Sequence, residues 1–238
     1  MLADAAKAFE TFGGPHLAVM CLTVATAAGL CVWARRSRPA VATWIARAWA
    51  VGLLVNEVFY YARAVASLPL ADLLRDFLPL HICDIAVFGA AWMLWTRRRS
   101  VYEVVYFWSL AGTVQAVLTP NLQLGFPSYS FFEYFLTHCG VVIAAVFATF
   151  ALRLRPARGA VLRVFVITNV YAAFVGVVNY LVGGNYRFLC APPAGRTPFF
   201  FLPWPWYILF LEAVALAMVW LLYVPILAED HFRRRRLP

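Results

Sequence analysis

The sequence predicts an all-α membrane protein, a bundle of seven transmembrane helices that forms one domain over residues 1–238. Hydrophobic residues make up 64% of the chain and charged residues 13%, whereas soluble domains carry about 25% charged residues. The apolar residues form stretches of about 20, the length that an α-helix needs to cross a bilayer. The basic residues fall in short clusters between these stretches. Together these observations exclude a soluble globule, a disordered chain and a water-soluble coiled coil.

Seven stretches are long and apolar enough to cross a bilayer. They cover residues 16–34, 41–62, 77–96, 101–119, 129–152, 160–182 and 202–226. The separators hold prolines, glycines and arginines, which favour turns and mark helix ends: Ser37–Pro39, Pro69, Arg97–Ser100, Pro120–Pro127, Arg155–Pro156 and Gly183–Pro198. No internal repeat divides the chain, so the spans are expected to pack as a single compact unit.

Basic residues are distributed unequally between the two ends of the predicted bundle. One end holds fourteen arginines: Arg35, Arg36, Arg38, Arg97, Arg98, Arg99, Arg153, Arg155, Arg158, Arg163 and Arg233 to Arg236. The other end holds five basic residues: Lys7, Arg63, Arg75, Arg187 and Arg196. Since cytoplasmic loops carry the excess of basic residues, we predict an external N-terminus and a cytoplasmic C-terminus. The formal net charge of +9 is then a topology signal that contacts anionic headgroups, and no nucleic-acid partner is expected.

The cysteines and the N-terminal segment carry little specific information. The five cysteines are Cys21, Cys31, Cys83, Cys139 and Cys190, and no CxxC spacing occurs among them. Neither a disulfide framework nor a zinc site is therefore expected, and no metal or cofactor is predicted. The N-terminal segment is polar and lacks a basic stretch followed directly by an apolar core, so no cleavable signal peptide is predicted.

Polar residues inside the predicted spans gather in the outer half of the bundle. With the orientation fixed, a rise of about 1.5 Å per residue gives each of them a depth. The residues near this level are Asn56, Glu57, His81, Cys83, Asp84, Gln115, Glu133, Thr137, His138, Asn169, Asn179, Trp204, Trp206 and Glu212. Taken singly, the amides could be interhelical hydrogen bonders, the cysteine a small hydrophobe and the tryptophans an interfacial belt. Their clustering at one depth favours a functional site, because ionisable residues within spans are costly.

Helical spacing suggests two relationships among these residues. His81 and Asp84 are three apart and would share a helix face, where a carboxylate can orient an imidazole. Cys83 would lie on the opposite side of that helix from His81, about 200° away at 100° per residue. If Cys83 is a nucleophile, its base must then come from another helix, and His138 is the natural candidate.

Several segments resemble the signatures of one known family. The segments are Leu78–Asp84, Tyr106–Gly112, Gln115–Pro120, Phe126–Pro127, Phe131–Phe132, Thr137–Gly140, Arg163–Tyr171, Val178–Leu181, Asn185–Cys190 and Pro203–Tyr207. They are similar to the motifs of the YwaF-type bacterial integral membrane family, and the resemblance extends from about Leu78 to Tyr223. Helices 1 and 2 match only in general character.

The resemblance implies an activity and its residues. The family is similar to a eukaryotic transmembrane acyltransferase that loads acyl chains onto ether lysophospholipids through a cysteine and a histidine. Carried over by motif, these residues are Cys83 and His138. From spacing and depth, His81 with Asp84 would orient the acceptor hydroxyl, and the other polar residues would contact the substrate. These contact residues are Glu57, Gln115, Asn169, Asn179, Trp204, Trp206 and Glu212. The expected partners are the bilayer and a phospholipid or lysophospholipid, in a multi-pass protein of the bacterial inner membrane.

Three other interpretations remain open at this stage. A transporter or solute-binding protein could use an outward-open polar cavity, although no inverted repeat or polar track through the inner half supports it. A haem held by His81 and His138 would need two facing histidines at similar depth. A purely structural role leaves the one-sided polarity unexplained.

Overall fold

In a computed structural model of the protein, residues 7–193 and 200–235 are described, with side chains to Glu229. Nine α-helices are present in these ranges: α1 Gly14–Arg36, α2 Pro39–Ser67, α3 Leu70–Asp76, α4 Ile82–Thr96, α5 Arg99–Phe107, α6 Val114–Leu118, α7 Tyr129–Phe150, α8 Ala160–Val182 and α9 Trp206–Arg235. A π-helical segment, Trp108–Thr113, joins α5 to α6 in one continuous rod, and a 3₁₀ turn, Tyr186–Phe188, follows α8. Arg196 and Arg236, which entered the charge count, lie outside the described residues.

Six helical segments of the described chain are long and apolar enough to cross a membrane. They are Gly14–Arg36, Pro39–Ser67, Arg99–Leu118, Tyr129–Phe150, Ala160–Val182 and Trp206–Glu229. The predicted span 77–96 differs, because its helix is α4 and has only 15 residues. The residues from Phe77 to His81 are not helical, since Pro79 disfavours a helical conformation before it and His81 is extended, with φ −70° and ψ 150°.

Other helix boundaries also differ from the predicted spans. The short helix α3 was not predicted, and it follows Pro69, whose ring suits the start of a helix. The last span was predicted from residue 202, but α9 begins at Trp206, so Trp204 lies before the helix. The predicted span 160–182 coincides with α8.

The long helices alternate in direction, which creates two different ends. At one end, here called the cavity end, α1, α4, α7 and α9 begin and α2, α6 and α8 finish. His16 Nε2 bonds the Val117 carbonyl there at 2.8 Å, and the Leu78 amide donates to the Tyr186 hydroxyl at 2.7 Å. The opposite end, here called the arginine end, holds the three arginine-rich connections. Arg97 contacts Thr43 there at 2.6 Å.

The core lies where α4 packs against α2, α5 and α7. Small side chains allow these helices to approach closely, as is usual where helices pack in lipid. The buried alanines at these contacts are Ala46, Ala50, Ala86, Ala90, Ala144, Ala145 and Ala148. At Gly140 a Cβ atom would lie 2.7 Å from Leu53 Cδ2, so any larger residue would force the end of the Leu53 side chain to shift. The Gly140 carbonyl also accepts a hydrogen bond from Trp49 Nε1 at 3.0 Å.

An ion pair between a half-exposed arginine and a buried glutamate ties the arginine end together. The Glu103 side chain is 4% exposed and accepts from Arg163 Nη2 at 2.8 Å and from the Ala157 amide at 2.8 Å. The Tyr223 hydroxyl donates to the Ala157 carbonyl at 3.1 Å. Arg163, which the charge pattern counted as a topology signal, therefore also joins α5 to α8.

Candidate functional site

A cavity of about 370 Å³ opens among α4, the π-helical rod, α8, α9 and the turn after α8. Six polar residues line it: His81, Cys83, Gln115, Thr168, Arg187 and Glu212. Phe107, Val164, Leu216 and Val219 line the part toward the arginine end, and Gln115 Nε2 lies 3.7 Å from Met218 Sδ there. The cavity is therefore amphipathic, with polar groups set in a mainly apolar lining.

Cys83 lies on the wall of this cavity as the second residue of α4. A thiolate in the first turn of a helix is favoured by the helix dipole. The thiol is within hydrogen-bonding distance of the Thr113 hydroxyl, with 3.9 Å between Sγ and Oγ1.

Thr113 reaches Cys83 because it closes the π-helical segment. The wider π-helical turn shifts the register of the rod. The Thr113 hydroxyl donates to the Trp108 carbonyl, five residues earlier, at 3.4 Å. Trp108 in turn donates from Nε1 to Thr168 Oγ1 on α8 at 2.8 Å. Single π-helical turns are frequent at functional sites. The hydropathy and spacing of the sequence did not indicate this π-helical turn.

A second polar group lies between α2, α4 and α7, on the other side of α4. We call it the acidic cluster, and it consists of Glu57, Asp84, Glu133 and His138 with Tyr60 and Tyr61. Glu57 is 2% exposed, and its carboxyl group lies within electrostatic range of the other three ionisable members. Thr137 donates to Glu133 at 3.2 Å and accepts from the Asn56 side chain at 2.9 Å.

His138 has a defined tautomer in this cluster. Its Nδ1 lies 2.7 Å from the Tyr134 carbonyl, and since a carbonyl only accepts, Nδ1 carries the proton. The unprotonated nitrogen is therefore Nε2, the one that can accept a proton. The ring stacks on Tyr134 at 4.0 Å between centroids, and Tyr134 also lies within electrostatic range of Cys83. No hydrogen bond joins Cys83 directly to His138 among the described residues.

The expected pairing of the His81 and Asp84 side chains is not formed; Asp84 bonds the His81 backbone instead. Asp84 Oδ2 accepts from the backbone amide of His81 at 3.1 Å, because His81 is the residue that precedes α4 rather than part of the helix. This contact caps the helix. The His81 imidazole faces the turn after α8, where it packs on Tyr186 and Phe188 and accepts from the Arg187 amide at 3.4 Å.

The turn after α8 folds back into the bundle and carries Arg187 with it. Arg187 Nη1 donates to the Thr168 carbonyl at 3.4 Å, and Thr168 lies about 21 Å along α8 from the end of that helix. Burial lowers the pKa of the Arg187 guanidinium from its ordinary value, with Tyr171 and Glu212 opposing the change. Arginine still remains charged at neutral pH. The charge pattern placed Arg187 in an external loop. The one sequence feature that could have indicated a buried position is the run of aromatic residues around it after Gly183-Gly184.

The other predicted contact residues divide into three sets. Gln115 and Glu212 line the cavity, and the Asn169 side chain donates to Glu212 Oε2 at 3.2 Å. Asn179 is buried and bonds the backbone of Tyr186. Trp204 and Trp206 are each 60% exposed and do not line the cavity.

A larger apolar groove of about 640 Å³ lies between α1 and α7. Its walls include Ala18, Leu22, Phe132, Leu136 and Cys139. None of the predicted site residues lines it. In the described ranges, no group of three or more histidine, cysteine or carboxylate side chains is arranged to hold a metal ion.

Comparison with known proteins gives two matches. A sequence model of the TMEM164 family matches residues 11–223. An uncharacterized protein of Treponema pallidum (strain Nichols) is 29% identical over 165 residues, which cover 68% of this chain and 67% of that protein. No solved structure matches the chain.

Proposed function

This chain belongs to the TMEM164 family of membrane proteins, and from that premise we propose that it is an enzyme that transfers acyl chains to membrane lipids. The observation that carries the proposal is the position of Cys83. Its thiol stands at the first turn of α4 on the wall of an amphipathic cavity, where a lipid can present an ester beside it. A nucleophilic cysteine needs a place that the substrate can reach and a base that takes its proton.

The proposed reaction has two steps. The Cys83 thiolate attacks the carbonyl carbon of the acyl donor, a thioester forms, and the donor's alcohol or thiol leaves with the proton that Cys83 gave up. The hydroxyl of a lysophospholipid then attacks the thioester carbonyl, which forms the new ester and returns the proton to Cys83. Covalent catalysis of this kind divides one difficult transfer into two easier ones.

His138 is the proposed proton carrier. Its Nε2 is the accepting nitrogen, and the carboxylates of the acidic cluster stabilise the imidazolium that forms when it takes the proton. Tyr134 stacks on His138 and lies within electrostatic range of Cys83. Because no hydrogen bond joins Cys83 to His138 among the described residues, the proposed proton transfer requires a side-chain shift or a bridging water. The His81 imidazole lines the cavity and would orient the acceptor hydroxyl.

The placement in the membrane forms part of this proposal. We propose that α4, although short, is a seventh crossing, with the cavity end outside and the arginine end in the cytoplasm. The motif resemblance to YwaF-type proteins supports a bacterial inner membrane location.

Acyl transfer can be tested with the purified protein in detergent. Cys83→Ala and His138→Gln should each abolish incorporation of a labelled acyl chain into lysophospholipid, and wild type should yield a hydroxylamine-sensitive adduct on Cys83. The matched control is Cys139→Ala, since Cys139 is next to His138 in sequence but lines the apolar groove. Unchanged turnover in either Cys83→Ala or His138→Gln would disprove the mechanism. Solute uptake by vesicles without lipid turnover would favour the transporter interpretation instead.

A further inference from the structure

We propose that the cavity contains a subsite for a zwitterionic phospholipid headgroup, in which Arg187 binds the phosphate and Glu212 binds the ammonium group. The inference deepens the acyl-transfer proposal, on which it rests, by naming the headgroup of the lipid acceptor.

Arg187 is a buried cation with unused hydrogen-bonding capacity. Its Nε atom is buried and has no partner among the described residues. Its other contacts are the long bond from Nη1 to the Thr168 carbonyl, at 3.4 Å, and the Tyr171 ring, 5.6 Å from the guanidinium carbon. A buried donor without a partner is costly. A phosphate would satisfy it, because its oxygens match the planar fork of a guanidinium.

Glu212 supplies an opposite charge without neutralising Arg187. Both side chains line the cavity, and Glu212 lies within electrostatic range of the guanidinium. The ion pairs within 4 Å that the described residues form do not include these two. The Glu212 carboxylate is instead held by Asn169 Nδ2 at 3.2 Å. Two opposite charges kept apart across one cavity are complementary to a ligand that carries a phosphate and an ammonium group.

The shape of the cavity favours a lipid over a soluble zwitterion. From Glu212 the cavity continues along α9 to Val219, a distance of about 10 Å, past Val164, Leu216 and other mainly apolar residues, with the Gln115 amide on Met218 Sδ as the polar contact there. A headgroup on Arg187 and Glu212 would direct an attached hydrocarbon chain into this part. An inorganic phosphate would leave it empty.

The subsite is also held rigidly. The Asn179 side chain bonds both the amide and the carbonyl of Tyr186, at 2.8 and 3.0 Å, and the Tyr207 hydroxyl donates to the Phe188 carbonyl. Arg187 between them adopts φ 60° and ψ 14°, a left-handed conformation that only such support sustains in a residue other than glycine. A binding group fixed before its ligand arrives loses less entropy on binding.

The test measures binding in the Cys83→Ala background, so that no probe is consumed. The probes are lysophosphatidylethanolamine, lysophosphatidic acid and monoacylglycerol of one chain length, with glycerophosphoethanolamine and inorganic phosphate as soluble competitors. Lysophosphatidylethanolamine should bind at least tenfold more tightly than monoacylglycerol. Arg187→Gln should remove that difference, and Arg187→Lys should restore part of it.

Glu212→Gln should weaken binding of lysophosphatidylethanolamine and leave lysophosphatidic acid unchanged. The matched control is Arg75→Gln, because Arg75 is exposed and pairs with Asp72 and Asp76 outside the cavity. Equal binding of lysophosphatidylethanolamine and monoacylglycerol by the parent protein would overturn the proposal without any variant. Glycerophosphoethanolamine bound as tightly as the lysolipid would overturn the assignment to a membrane lipid.

These results separate the two proposals. If binding depends on Arg187 but acyl transfer is unchanged in Cys83→Ala, the headgroup subsite is supported and the Cys83 mechanism is disproved. If acyl transfer depends on Cys83 but binding does not depend on Arg187, the mechanism is supported and the subsite is disproved.

Discussion

Asn179 near the end of α8 holds Tyr186 by both of its backbone polar groups, seven residues further along the chain. The amide oxygen accepts from the Tyr186 amide at 2.8 Å, and the amide nitrogen donates to the Tyr186 carbonyl at 3.0 Å. The Tyr186 hydroxyl in turn bonds Leu74 and Leu78 before α4. One amide side chain therefore connects α8 to the segment that leads into Cys83 and fixes the residue before Arg187.

Replacing Asn179 should impair the site more than it impairs the fold. Asn179→Ala removes two hydrogen bonds, which should lower stability by about 2 kcal/mol, and it frees the turn that places Arg187. We expect at least a tenfold loss of acyl transfer in the folded fraction. The control is Asn185→Ala, because Asn185 bonds Cys190 and Ala191 in the same loop but not Tyr186. Equal losses in both variants would contradict the role given to Asn179.

Thr113 should affect turnover without being essential. Thr113→Val keeps the shape of the side chain but removes the hydroxyl 3.9 Å from Cys83 Sγ. Loss of one hydrogen bond corresponds to about 1 kcal/mol, or roughly a fivefold lower rate. Thr113→Ser should retain most of the wild-type rate. A rate in Thr113→Val as low as in Cys83→Ala would show that the π-helical segment does more than orient the thiol.

The ion pair at the arginine end should be structural. Arg163→Gln leaves the Glu103 carboxylate with the Ala157 amide as its remaining donor, and since the Arg163 side chain is half exposed the cost should be about 1.5 kcal/mol. The thermal midpoint in detergent should fall by roughly 3 to 6 °C. Arg158→Gln, on the same connection but with an exposed side chain, should leave the midpoint unchanged. Similar midpoints for the two variants would show that the Glu103 contact contributes nothing.

Close helix approach at Gly140 gives a prediction about packing. Gly140→Ala should destabilise the bundle by about 1 kcal/mol, because the new methyl group meets the end of the Leu53 side chain. Adding Leu53→Ala removes the clash, so the double variant should lose less stability than the two single variants together. Denaturation in a mixed detergent series measures this coupling, and strict additivity would refute the contact.

The apolar pattern was sufficient to predict most of the helices. The span 160–182 coincides with α8, and the first, second, fourth and fifth spans overlap long helices of the described chain. Local backbone chemistry accounts for the differences: Pro79 and the extended His81 shorten α4, and the extra residue of the π-helical turn leaves no trace in hydropathy.

Part of the lining of the cavity was predictable from the sequence, but its arrangement was not. Cys83, His81, Gln115 and Glu212 were selected from depth alone, and they share one cavity. Arg187 was counted as a loop charge, because nothing in residue spacing predicts a turn with a left-handed arginine that folds back toward Thr168. Helical spacing placed His81 and Asp84 on one helix face, which assumes that His81 lies inside the helix. In the structure α4 begins at Ile82, so Asp84 bonds the His81 backbone amide instead of the imidazole.

The shortness of α4 has a consequence for how a lipid would react. Fifteen residues give a helix of about 22 Å, whereas the hydrocarbon core of a bilayer is about 30 Å thick. If the arginines after α4 stay at one surface, the helix starts about 8 Å below the other surface. Cys83 then lies about 10 Å inside the hydrocarbon core, below the glycerol esters, so in the proposed reaction a lipid ester must enter the cavity to reach the thiol.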